Sequence, residues 1–290
     1  MKAQTSTLAR GEIMTTPFTK ARPRAHTYVP AAHLFAATML LVCGSIVAAA
    51  ADLPMKAASP PAPAAYNWTG CYVGANGGGG ATASSFTSTV DPGTHLLLGD
   101  PAVVGADGTG EMNASNFLGG GQAGCNFQSG TLVYGLEGDF DYFHSKIQFI
   151  NPFDTLTGGA AFTLTQTLTT DFVATVRPRI GVAADRNLGY ITGGVAFTHA
   201  SYTEAYADAL VPPGLGAATG SKSLIGWTVG AGWEHAWTDH WTFKAEYLFA
   251  AFPTTGALGA ITDAGGGANT LHGSADLIMQ VVRLGANYKF

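Results

Sequence analysis

From residue 52 onward, apolar and polar residues alternate at every second position in segments of about ten. Nowhere in that stretch is there the run of about 20 apolar residues that a membrane-spanning helix needs. Only 11% of the residues are charged, against about 25% in a typical soluble domain, so much of the surface must meet something less polar than water. Within lipid every backbone N–H and C=O has to be paired inside the protein, which leaves helices and closed barrels. The alternation selects the barrel. The expected fold is therefore all-β: a transmembrane antiparallel up-and-down β-barrel of eight strands.

Alternation bounded by turn residues places those strands near 67–80, 115–127, 131–143, 169–184, 188–200, 223–237, 240–252 and 277–290. Gln128-Ser129-Gly130, Asp185-Arg186-Asn187 and Thr238-Asp239 read as short turns. Segments 81–114, 144–168, 201–222 and 253–276, rich in Gly, Ser, Thr and Pro, read as four long mobile extracellular loops. An outer-membrane barrel has this asymmetry, with tight turns on the periplasmic side.

The pleat then assigns faces. Val282, Leu284, Ala286, Tyr288 and Phe290 fall on one side of the last strand and are expected to face lipid. The same parity turns Trp241, Phe243, Tyr247 and Phe249 outward, with Tyr134, Leu136, Phe140, Tyr142, Val176, Ile180 and Val182. Inward fall Glu137, Asp139, Asp141, Glu234 and Glu246 against Arg177, Arg179, Lys244, Arg283 and Lys289. Five acids opposing five bases in a narrow lumen imply a salt-bridge network that plugs it, since a desolvated charge is tolerated only when paired. The competing reading leaves several of them solvated near the mouths.

The first 51 residues read as a signal peptide: Lys20, Arg22 and Arg24, then an apolar stretch from Leu34 to Val47, then Ala49-Ala50-Ala51. Met14 is an alternative start to Met1. Residues 52–65 form a Pro/Ala-rich periplasmic spacer, and 66–290 the barrel. Residues 52–290 carry nine Lys/Arg against eighteen Asp/Glu, a net charge of −9, which argues against nucleic acid as a partner. Cys71 and Cys125 lie on neighbouring strands, and the oxidising periplasm makes a disulfide the first expectation; two small lipid-facing residues are the alternative.

Several segments carry a resemblance: 66–74 (YNWTGCYVG), 135–141 (GLEGDFD), 175–181 (TVRPRIG), 190–197 (YITGGVAF), 226–232 (GWTVGAG) and 282–290 (VRLGANYKF). Together they are similar to porin-family outer-membrane proteins with an OmpA-like β-barrel, of the alphaproteobacterial surface-antigen and haemin-binding type. The resemblance implies a place in the cell outer membrane, contact with outer-membrane lipid and lipopolysaccharide, and a structural, envelope-integrity or surface-interaction role. Host surfaces and haem are the partners it brings into question. The last strand, with Val282, Leu284, Ala286, Tyr288 and terminal Phe290, resembles the signal read by the barrel-assembly machinery.

No cofactor, metal site or catalytic residue is expected. Gly119 to Gly124 matches G-x-G-x-x-G but lacks the strand–helix context that pattern requires. His199 and Ser201 with Glu204 raise a remote lipid A-modifying hydrolase. A loop histidine, His95 or His272, is the candidate haem contact, while His235 and His240 read as interface anchors beside Trp233, Trp237 and Trp241. The leading reading is a barrel presenting its loops, and the alternatives are a narrow porin-like channel and a haem-binding surface protein.

Overall fold

In the computed structural model, residues 66–97, 99–151 and 154–290 are described. The segments read as signal peptide and spacer lie outside them. Eight antiparallel strands close into a ring in chain order: β1 (Gly70–Val90), β2 (Gly110–Ser129), β3 (Leu132–Ile150), β4 (Phe162–Ala184), β5 (Asn187–Asp208), β6 (Gly214–Ala236), β7 (Trp241–Asp263) and β8 (Ala268–Lys289). The seam is β1 on β8, with Tyr72 opposite Lys289 and Val90 opposite Leu271. No helix among the described residues is long and apolar enough to cross a membrane; the crossing is made by strands.

The strands are 19 to 23 residues long, about twice the 9–11 that a bilayer requires. On β3 the unbroken exposed apolar series runs from Leu132 to Tyr142; outward His144, Lys146 and Gln148 follow before Ile150 is exposed at the strand's far end. Ten steps of about 3.3 Å, tilted by about 40°, give an apolar band about 25 Å tall. Aromatic pairs mark its two edges: Trp237 with Phe243 and Trp241 with Tyr288 below, Trp227 with Phe249 and Phe140 with Phe172 above. Beyond the upper edge the strands continue as a free-standing barrel, so most of the four expected loops are strand. The connections left are 91–109, 151–161, 209–213 and 264–267, and the last two are no longer than turns.

Below, the strands join through Gly130-Thr131, through Asp185-Arg186 and through 237–240. Gly130 (φ 63°) and Asp185 (φ 52°) take the left-handed backbone that such two-residue hairpins require. Above, the β1–β2 connection contains a short helix, α1 (Asp100–Asp107), which begins beside Pro101, stops at Gly108 and buries Val104.

Candidate functional site

The lumen is filled in layers. At the periplasmic mouth Tyr66 and Trp68 fold under the barrel and pack with Val133, Ala183, Leu188, Tyr190 and Ala236. Gln128 Oε1 accepts from the Trp68 amide at 2.7 Å, which holds this stopper in place. Above it lie the charges. Arg177, 0% exposed, places its guanidinium 2.9 Å from Glu137, 2.8 Å from Asp139 and 3.2 Å from Glu246. Arg283 reaches Glu246 at 2.7 Å, Asp139 at 3.1 Å and Asp141 at 2.5 Å. Lys244 lies 2.7 Å from Glu137, and Arg179 lies 3.0 Å from Glu234.

Nine of the ten residues that the alternation turned inward thus share one network. Lys289 does not: its ammonium donates to the Asn67 carbonyl and sits 4.3 Å from the Tyr66 ring, at the rim. Parity gives a side, not a height, and Lys289, the last residue of β8, is too low to reach the cluster. The network therefore holds five acids and four bases.

Neutral groups that the alternation did not single out complete it. Tyr72 donates to Glu137 Oε2 at 2.6 Å, Tyr190 to Glu246 Oε1 at 3.0 Å and Thr175 to Asp139 Oδ2 at 2.6 Å. Arg179 is flanked by the rings of Tyr72 and Tyr190, each 5.0 Å from its guanidinium carbon, and donates to Asn126 at 2.8 Å. Their signal was present, because all four stand at inward positions of their strands. Close packing also accounts for Gly120 and Gly124 on β2. A Cβ on Gly120 would run into Asp141 Oδ1, and one on Gly124 into the Tyr72 hydroxyl.

Over the charges the lining turns apolar: Leu118, Phe143, Val173, Leu248, Phe252, Leu277, Met279 and Val281 form one buried cluster with Phe86 and Leu168. A second cluster closes the extracellular end, where Leu96 and Val104 of the β1–β2 connection and Leu156 of the β3–β4 connection cover Phe162, Leu164, Tyr206, Ile261 and Leu271. Gln166 donates to the Gly108 carbonyl at 2.5 Å, and the Thr157 amide donates to Asp100 at 2.6 Å.

Glu204 is buried in this upper barrel beside Tyr202, and burial pushes its carboxyl above the usual range. His199 and Ser201 are half-buried on the opposite face of β5, so the three do not form a hydrolytic set. The expected haem contacts are engaged elsewhere: His95 is buried with both ring nitrogens on carboxylates, and exposed His272 pairs with Asp91 at 2.8 Å. Cys71 and Cys125, directly opposite in the β1–β2 register, are joined by a disulfide on the outer face. Val282, Leu284, Tyr288 and Phe290 are exposed on the lipid-facing side of β8, and Ala286 is half-buried there.

An apolar outer band with aromatic edges around an eight-stranded, side-chain-filled ring defines a small outer-membrane barrel. The chain belongs to the outer membrane protein beta-barrel domain family, whose model matches residues 45–290. It is 29% identical over 261 residues to the 31 kDa outer-membrane immunogenic protein of Brucella melitensis, covering 84% of this chain and 93% of that protein. It is 26% identical over 260 residues to the 25 kDa outer-membrane immunogenic protein of Brucella abortus, covering 84% of this chain and 97% of that protein. The solved structure of OprG from Pseudomonas aeruginosa is similar at 9% identity and a TM-score of 0.38, over 78% of this chain and 99% of that one. The protein is an outer-membrane barrel of the surface and envelope class.

Proposed function

We propose that the protein works as a sealed scaffold whose activity lies at its extracellular end, and not as a diffusion pore. One observation carries this reading: among the described residues the lumen is closed by the Tyr66/Trp68 stopper, by the charge network and by the apolar fill with its cap. A narrow channel would have to break buried ion pairs and separate both apolar layers to pass one hydrated ion, and each step is costly. The strands that rise beyond the membrane supply a rigid outer surface for contact with lipopolysaccharide or a host surface.

Planar-bilayer recordings test the reading. The unmodified barrel is expected to give no stepwise openings; robust single-channel conductance would make the channel function the better account. A lipid A mass shift on expression would instead favour the hydrolase. Membership of the family concerns barrel architecture and does not bear on catalysis.

For the C-terminal residues we infer an assembly role. Support comes from their exposure along one side of the closing strand, an apolar face that would be presented with a free edge before the β1–β8 ladder forms. Phe290→Asp is expected to lower the amount of heat-modifiable protein in the outer membrane, and unchanged levels would remove the assignment.

A further inference from the structure

One arrangement in the extracellular cap is not required for filling the lumen. His95, on the β1–β2 connection, is wedged between the ends of two strands. Its Nδ1 lies 2.7 Å from Asp263 Oδ2 at the end of β7, and its Nε2 lies 2.7 Å from Asp208 Oδ2 at the end of β5. The three side chains are all but sealed from water. Both carboxylates are already fixed as acceptors. The amides of Leu210 and Gly214 donate to Asp208 Oδ1 and the Tyr206 hydroxyl donates to its Oδ2, while the amides of Gly265 and Gly267 donate to Asp263 Oδ1.

An ionised carboxylate only accepts, so two such contacts call for two N–H donors, which an imidazole possesses only when protonated. A neutral ring would turn a lone pair toward one of the two carboxylates. The surroundings are shaped to the ring: a Cβ on Gly214 would run into His95 Nε2, and one on Gly267 would sit 3.1 Å from His95 Cα. The backbone is pinned at the same point, because the amides of His95 and Leu96 both donate to Asn269 Oδ1 on β8. One residue thereby ties the β1–β2 connection to β5, β7 and β8.

We propose that His95 is a proton-operated latch. Protonated, it clamps the β1–β2 connection, and α1 with it, across the extracellular end of the barrel; deprotonated, it lets that connection lift and uncovers the apolar lining beneath Leu96 and Val104.

Burial alone would lower the imidazole's proton affinity, but the bonds and charges of Asp208 and Asp263 outweigh it and raise its pKa above 6.5. A value raised by folding means stabilisation that is full below about 6.5 and is lost as pH climbs through the folded value. For Asp208, burial opposes ionisation, but the Gly214 and Leu210 amides and His95 prevail; for Asp263, the Gly267 amide and His95 act together. Both carboxyls are held below 3.8, so the clamp also fails in strong acid. Six other titratable groups face the cap. Tyr206 donates to Asp208, Asp100 stands at the start of α1, the exposed His272–Asp91 pair sits at the base of the same connection, and Asp107 meets Asp154 beyond α1. Burial and Asp154 raise the Asp107 carboxyl above 3.8. His272 is the group that needs its own control.

The test is amide hydrogen exchange of the full chain in lipid bilayers, from about pH 6 to about pH 9, corrected for intrinsic rates. Protection of the His95 and Leu96 amides is expected to fall about tenfold or more as one charge-assisted hydrogen bond is lost. A His95→Lys variant, cationic throughout, should show no such fall, and His272→Gln should show it in full. Ring-nitrogen NMR of the unmodified protein needs no variant and should find the His95 imidazole titrating above 6.5, together with the loss of protection. A flat profile in the unmodified protein, an equal fall in His95→Lys, a flat profile in His272→Gln, or a ring titrating at or below 6.5 would each overturn the latch.

Discussion

The membrane-embedded half of this barrel and the half above it are built from the same eight strands, yet they are opposite in chemistry. In the lower half the outward positions of β3 are Leu132, Tyr134, Leu136, Phe140 and Tyr142, and the inward ones include Glu137, Asp139 and Asp141. In the upper half the outward positions of β4 are Thr163, Thr165, Thr167 and Thr169, and the inward ones are Phe162, Leu164, Gln166 and Leu168. The solvent outside decides which set is tolerated. Against lipid an apolar exterior is free and the lumen has to carry the polar groups; against water the hydrophobic effect reclaims the interior. One closed sheet thus holds an inside-out protein joined end to end with an ordinary one.

Removing one partner from the charge network should reveal the contrast most strongly. Arg177→Ala leaves Glu137, Asp139 and Glu246 short of their shared cation and is expected to cost about 3–5 kcal/mol in unfolding measured in bilayers. A loss below about 1 kcal/mol, the worth of a solvated pair, would mean that the lower lumen is wet.

In the upper half the corresponding cut is a cavity. Leu164→Ala is expected to cost about 3 kcal/mol by lost burial and imperfect collapse, with little dependence on salt. Near-neutral behaviour would show the upper barrel to be loosely packed.

The outer surface separates the halves by a single test residue. Val195→Arg, on the lipid-facing wall of β5, should cost about 2–4 kcal/mol. Thr167→Arg, on the upper wall of β4, should stay within about 0.5 kcal/mol. Equal costs would place the membrane boundary elsewhere than the Phe140/Phe172 level.

Much of this is open to inspection in the residues themselves. The alternation in the upper half of β4, FTLTQTLTT over 162–170, is as regular as any in the chain, but it reads as loop as long as a strand is expected to stop where the membrane stops. Its phase is not readable. Phe162, Leu164 and Leu168 share even numbering with lipid-facing Phe172, Val176, Ile180 and Val182, yet they point inward. The register of β4 on β5 shifts between Thr170 and Val173, where Asp171 and Phe172 both turn out. A bulge of one residue exchanges the two faces of everything beyond it. β7 repeats the device between Phe252 and Thr255, around Pro253.

The residues alone determined the barrel class, the two faces of the membrane-level strands and the charges that line the lumen, because each of these rests on a backbone repeat of two residues that any local stretch displays. The tertiary structure decided which acid meets which base, that Lys289 stays at the rim, that the strands outrun the membrane, and that His95 falls between Asp208 and Asp263. Those are matters of height and of contact across the ring, set by tilt and register accumulated over eight ladders and by bulges that no local pattern announces.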